Sequence, residues 1–233
     1  MTVALRQRSA RAVPARAQLL DTAERLFAEH GIDGVSLRQI AAEAGQGNNS
    51  VVQYHFGDKA GLIHEIIARR RESFEPRRQA LLEEAIRSNR TSEVRALLEV
   101  LFVPLVETVD GEGQHVYARF IVQYLARFQH EDGIVTAWAA GSAGAEAGRL
   151  LAERLSFLDP AGLVSRVSRV SGLFLNALLE SDGAVERGRK GSGEGTLLSD
   201  TFAMMAAAME VPLPARTGAA GRSRRAGRGR RAR

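Results

Sequence analysis

The residues best suited to chemistry lie in one stretch, SLRQIAAEAGQGNNSVVQYHFGDK, from Ser36 to Lys59. Asn49, Ser50 and Gln53 carry short side chains that can hydrogen-bond to base edges, with Asn48 beside them in the same turn. Tyr54, His55 and Lys59 suit phosphate oxygens, and so does Arg38 on the preceding segment. Phosphate contacts set position and base-edge contacts set sequence preference, so this mixture is what a DNA-groove element requires. The structural alternative is an ordinary helical corner, in which Tyr54 or His55 packs the domain. Phe56 reads as core.

Local signals define the elements that must hold these groups. Ser36 and Gln39 have the spacing of a capping box, and Val35 and Ile40 that of a hydrophobic staple. Leu37, Ile40, Ala41 and Ala44 keep one face apolar at helical spacing. Gly45 can adopt the left-handed backbone that stops a helix. Gln46, Gly47, Asn48 and Asn49 favour turns and caps, so a second helix starts at Asn49 or Ser50 and runs through His55. Gly57 and Asp58 end it, and Asp58 can cap a third helix from Lys59. Upstream, Leu19, Leu20, Ala23, Leu26 and Phe27 form an apolar stripe, stopped at Gly31. The expectation is a three-helix unit containing a helix-turn-helix.

The run LLDTAERLFAEHGIDGVSLRQIAAEAG, followed by YHFGDKAGL, resembles the TetR family of bacterial transcriptional regulators. The turn Gln46–Asn49 is one residue longer than the family's usual form, and Gln53 stands where tyrosine is common. The resemblance covers roughly residues 15–65. It implies an all-α protein, with an N-terminal three-helix helix-turn-helix DNA-binding domain and a C-terminal helical ligand-binding and dimerisation domain. The expected divisions are a basic arm at 1–13, the DNA-binding domain at 14–60, the helical domain at 61–213 and a disordered arginine-rich tail at 214–233.

Composition narrows the alternatives. The 233 residues suffice for one or two domains with a sizeable core, and 45% hydrophobic content fits a globular chain. With no cysteine, disulfides and thiolate chemistry are excluded. No apolar run approaches a membrane span, and the N-terminus lacks an apolar signal core, so a cytoplasmic location with no membrane partner is expected. The net charge is +5, yet arginines contribute +4 over residues 1–17 and +8 over residues 215–233, leaving −7 for the body. The argument for DNA therefore rests on the motif and not on bulk charge. The arginine-rich tails could equally be solvated or add phosphate contacts.

Beyond the motif the pattern is helical. A long helix follows Lys59 and is expected to bend or end near Pro76. Arg77–Ile86 continues it, and Ser92 is the expected cap of a helix containing Pro104 as a kink. Tyr117, Phe120, Tyr124 and Phe128 form an aromatic row, and a helix is expected from about Val135 to Leu158, including Trp138. Tyr117, Phe120, Tyr124 and Trp138 are candidates to line a small-molecule site, with plain core as the alternative. Asp159-Pro160 starts a helix carrying Leu163, Val167, Val170, Phe174 and Leu178. Residues 183–196 read as a linker, and a last helix carries Leu198, Phe202, Met205 and Met209.

The two C-terminal stripes are either intrachain core or, as the resemblance implies, a four-helix interface in a homodimer. Its interface residues would be Leu163, Val167, Val170, Phe174, Leu178, Phe202, Met205 and Met209. The family likeness also implies an unidentified effector and a palindromic double-stranded DNA operator. The functional expectation is a ligand-responsive repressor. The alternatives are a nucleoid-type architectural protein, a helical small-molecule-binding protein or an enzyme. The histidines, His30, His55, His64, His115 and His130, show no metal-ligand spacing, and no catalytic or phosphate-loop motif is present, so no catalytic residue, metal or cofactor is expected.

Overall fold

Several helix boundaries fall where cap and turn chemistry place them. The structure, a computed structural model, describes residues 2–46, 48, 50–128, 141–186 and 194–212. Every regular element among them is a helix. The order is α1 (Thr2–His30), α2 (Leu37–Glu43), α3 (Ser50–Phe56), α4 (Lys59–Arg87), α5 (Val94–Val106), α6 (Val116–Arg127), α7 (Ala143–Arg154), α8 (Pro160–Glu186) and α9 (Glu194–Glu210). Trp138 and residues 214–233 lie outside the described residues, as does Asn49.

The first three helices form a small corner. Gly31, at φ +75°, ends α1, and its N–H donates to the Phe27 carbonyl at 3.0 Å. Leu19, Leu20, Leu26 and Phe27 of α1 are fully buried with Ile40 of α2 and Val52 of α3. Residues 2–13, the expected arm, belong to α1.

α4 links this corner to the rest of the chain. It is continuous through Pro76, against the expected bend or end there. Proline removes one helical hydrogen bond. Here the proline is exposed, while Phe74, Arg78, Leu82 and Ala85 are buried around it. Packing on that inner face holds the helix together.

Three other boundaries differ from expectation. Ser92 does not cap α5. Glu93 occupies that position without a side-chain cap, and the Ser92 carbonyl accepts from Arg154 at 3.1 Å. Of the helix expected from Val135 to Leu158, residues 135–140 lie outside the described residues, and Gly141, at φ +80°, is not helical. Extended Ser142 then caps α7 by accepting from the Ala145 N–H at 3.1 Å. The Glu75 carboxylate accepts from the Ala143 N–H, so α4 supplies a second cap to α7. The linker expected at 183–196 is shorter, because α8 extends to Glu186 and α9 begins at Glu194. The Asp159-Pro160 start holds, with Gly162 N–H donating to Asp159 Oδ1 at 2.7 Å.

The core is continuous from Leu19 to Met209, with α8 packed on α9, α5 on α4, α7 and α9, and α6 between α1 and α8. Two buried polar joints tie these layers. Glu24 of α1, 2% exposed, accepts from Arg70 Nε of α4 at 2.9 Å and from its Nη2. His115, just before α6, places Nδ1 at 2.6 Å from Asp182 Oδ1 of α8 and Nε2 at 3.0 Å from the Val106 carbonyl. Buried carboxylates need such partners.

Candidate DNA interface and ligand cavity

The helix-turn-helix is built from local hydrogen bonds. Ser36 Oγ accepts from the Gln39 N–H at 3.1 Å, capping α2. Gln39 directs its own amide to Glu43 at 3.4 Å. Gly45, at φ +67°, turns the chain, and Gln46 N–H returns to the Ala41 carbonyl at 2.8 Å. Asn48 Oδ1 accepts from the Ser50 N–H at 3.0 Å, so this side chain caps the start of α3. An asparagine in this role satisfies a donor that the first helical turn leaves open.

α3 divides its side chains cleanly. Val52 and Phe56 are buried against the corner, and the Arg16 guanidinium lies 5.3 Å from the Phe56 ring centre. Ser50, Gln53 and Tyr54 are exposed, Tyr54 at 84%. A tyrosine that open has not been placed there by core packing. His55 is half-buried, with its ring 5.1 Å from that of Tyr54 and 5.9 Å from that of Phe56. Arg38 is exposed on α2. Lys59 is half-buried, and its Nζ donates to the Ile32 carbonyl at 2.9 Å.

Farther along the chain, α4, α5, α6 and α8 line a partly open cavity of about 70 Å³. Its walls include Phe74, Phe102, Tyr117, Ile121 and Leu175, together with Arg71 and Arg78. Of the described aromatic residues expected to line a ligand site, Tyr117, Phe120 and Tyr124, Tyr117 is the one on this wall. Burial pushes its hydroxyl well above the ordinary tyrosine value, so it is a neutral group there. Phe120 is fully buried, between Phe27 of α1 at 6.2 Å and Tyr117 at 5.9 Å. Tyr124 continues the row, 6.5 Å from Phe120 and 4.9 Å from Phe128.

Sequence reasoning passed over Arg78. Its signal was present: Ile67, Arg71, Phe74, Arg78 and Leu82 recur at helical spacing, so two cations interrupt an apolar face. Arg78 is 6% exposed, and its Nη2 donates to the Leu101 carbonyl at 3.3 Å. Its Nε is buried with no hydrogen-bond partner. Desolvation lowers this guanidinium from its usual value, partly opposed by the charge of Glu75.

The C-terminal stripes are used inside the chain. Val167, Val170, Phe174, Leu178, Phe202, Met205 and Met209 are each at most 5% exposed. Phe174 lies 5.0 Å from Phe102 and 5.6 Å from Phe202. Leu163 is half-buried. The reason is geometric: α8 and α9 bury their apolar stripes against α5, α6 and each other, which leaves a different face outward. That face shows Val164 and Met204, at 40% and 49% exposure, with exposed Ser168, Asn176, Ala203 and Ala207.

Fold and exposed helix together define a class, an all-helical protein with an N-terminal helix-turn-helix. Residues 19–66 match the family described as bacterial regulatory proteins, tetR family. That match covers the helix-turn-helix and the helices flanking it, so this N-terminal segment is similar to the corresponding segment of that family. No curated protein matches it. Two solved structures are similar in outline. One, described as "Molecular basis for control of antibiotic production by a bacterial hormones", is 21% identical at TM-score 0.44, covering 83% of this chain and 96% of that one. The other, described as a TetR-family transcriptional regulator from Mesorhizobium loti MAFF303099, is 18% identical at TM-score 0.42, covering 85% and 96%.

Proposed function

We infer that the chain is a ligand-responsive repressor that binds a palindromic operator as a homodimer. The observation that carries this reading is the outward face of α3, where Ser50, Gln53 and Tyr54 stand in solvent while Val52 and Phe56 anchor the helix from behind. Ser50 and Gln53 meet base edges, and Asn49 joins them. Tyr54, His55 and Arg38 hold phosphates. Asn48 is exposed, and its Oδ1 serves the cap, so its amide nitrogen can donate to DNA. Lys59 has three donors and directs one to Ile32, so it can hold a phosphate with the others.

Dimerisation uses the outer face of α8 and α9. The apolar stripe named from the sequence is occupied within the chain, so a second copy meets Val164, Ser168, Asn176, Ala203, Met204 and Ala207 instead. These are mostly small side chains, which permit close helix approach. A two-fold pair doubles the bases read and sets half-sites about 34–36 Å apart or a multiple of that.

The effector acts through α4 and α6. Both helices wall the cavity, and both also reach the DNA-binding corner. α6 contacts α1 through Phe120 and Phe27, and its Arg127 pairs with Asp33 at 2.9 Å. α4 begins directly after α3 and is held to α1 by Arg70 and Glu24. A ligand that favours one α4–α6 arrangement changes how the two α3 helices are spaced, and linkage requires DNA to weaken ligand binding equally.

Selection of bound genomic fragments, followed by mobility shift with the full chain, tests this reading. A regulator prefers its palindrome by about 10³-fold or more over unrelated duplex. Near-equal affinity for all sequences would instead identify an architectural binder. Sedimentation of a monomer that still binds an operator tightly would remove the dimer.

A further inference from the structure

We propose that the cavity between α4, α5, α6 and α8 receives a small organic anion, a carboxylate on a compact apolar body, with Arg78 as its counter-ion. This rests on the reading of that cavity as the effector site. Two independent features of Arg78 point to an anion. Its side chain is more than nine-tenths buried on the cavity wall, and its Nε meets no acceptor. Among the described residues, no carboxylate stands in ion-pair contact with it. Glu75, the nearby acid on the same helix, is engaged with the N-terminus of α7.

A buried guanidinium normally comes with a carboxylate, because desolvating an unpaired charge costs several kcal/mol. The Leu101 carbonyl and the Phe74 ring, 5.4 Å from the guanidinium carbon, compensate only in part. A ligand carboxylate would supply the missing acceptor and the missing charge together, in the planar geometry that arginine recognises. The rest of the wall selects the body. Phe74, Leu101, Phe102, Leu105, Ile121 and Leu175 are apolar, and Ser171 directs its hydroxyl to the Val167 carbonyl at 2.7 Å. Such walls reject a hydrated inorganic anion. The narrow space between these walls favours a compact acid.

The test uses the full chain and a panel of straight-chain, branched and aromatic monocarboxylates, each beside its primary amide. Calorimetry and thermal melting should show carboxylates binding more tightly than their amides by about tenfold or more, the worth of a charge-assisted hydrogen bond. Hydrogen exchange on the wild-type chain should show protection confined to α4, α5, α6 and α8. Arg78→Met should abolish the preference for the acid, while its ligand-free melting temperature stays level or rises. Amides binding as well as acids would overturn the proposal. So would no saturable binding by any acid at millimolar concentration, equal protection by inorganic phosphate, protection elsewhere, or an unchanged preference in Arg78→Met. Should that variant not fold, the wild-type acid–amide comparison and exchange map decide alone.

Operator binding, measured separately by fluorescence anisotropy, distinguishes the two readings. Acids that bind the cavity without altering operator affinity uphold the anion site and remove its effector role. Neutral compounds that release DNA, where acids do not bind, uphold the effector site and overturn the anion.

Discussion

Lys59 Nζ donates to the Ile32 carbonyl at 2.9 Å, joining the start of α4 to the turn that follows α1. The lysine that follows α3 is therefore a structural brace as well as a candidate phosphate ligand. Lys59→Ala should weaken binding to every duplex and lower the salt slope by about one. An unchanged slope would leave only the brace.

Gln53 is exposed on α3 and supports no packing. Gln53→Ala should leave stability within about 0.5 kcal/mol and relax discrimination at one operator position by about 1–3 kcal/mol. Mobility shifts across operator variants check this. Uniform loss across all variants would move Gln53 to the DNA backbone.

Two glycines in the motif should respond differently to alanine. Gly45 has φ +67° with open space around an added Cβ, so Gly45→Ala should cost only the backbone strain, about 1 kcal/mol. Gly61 lies in the first turn of α4, where a Cβ would strike the Phe56 carbonyl oxygen. Gly61→Ala should cost more, about 2–3 kcal/mol, because backbone must shift. Urea midpoints of the two variants rank them.

His115 and Asp182 are 2% and 1% exposed, and both imidazole nitrogens face acceptors. His115→Leu leaves Asp182 with the His115 N–H at 3.1 Å and Arg119 Nε at 3.4 Å as partners, and should destabilise by about 3 kcal/mol. Adding Asp182→Leu should recover part of that loss. A double-mutant cycle with no coupling would deny the pair its role in joining α6 to α8.

Met204 is 49% exposed on the outer face of α9. Met204→Asp should give a folded monomer by sedimentation and circular dichroism, with operator affinity reduced at least about tenfold. A dimer unaffected by the change would place the interface elsewhere.

Caps and turns were legible because their chemistry acts within about four residues. Ser36, Gly45, Gly57, Asp58 and Asp159 each contribute in the structure what their types and spacing announce. Pro76 and Ser92 misled for the converse reason. At Pro76, packing from elsewhere in the chain outweighs a local preference. At Ser92, the chain forms one more turn, Glu93 N–H to the Arg90 carbonyl at 3.0 Å, before α5 begins.

The sequence by itself determined the helical class, the helix-turn-helix and the side chains that α3 offers, since periodicity and capping are written in adjacent residues. Only the tertiary structure decided which apolar stripes are buried within the chain and which face of α8 and α9 is left exposed. It alone set Arg78 in a cavity with Leu101, Tyr117 and Leu175, residues far from it along the chain. Burial is a property of all the elements that surround a side chain, and no local pattern specifies them.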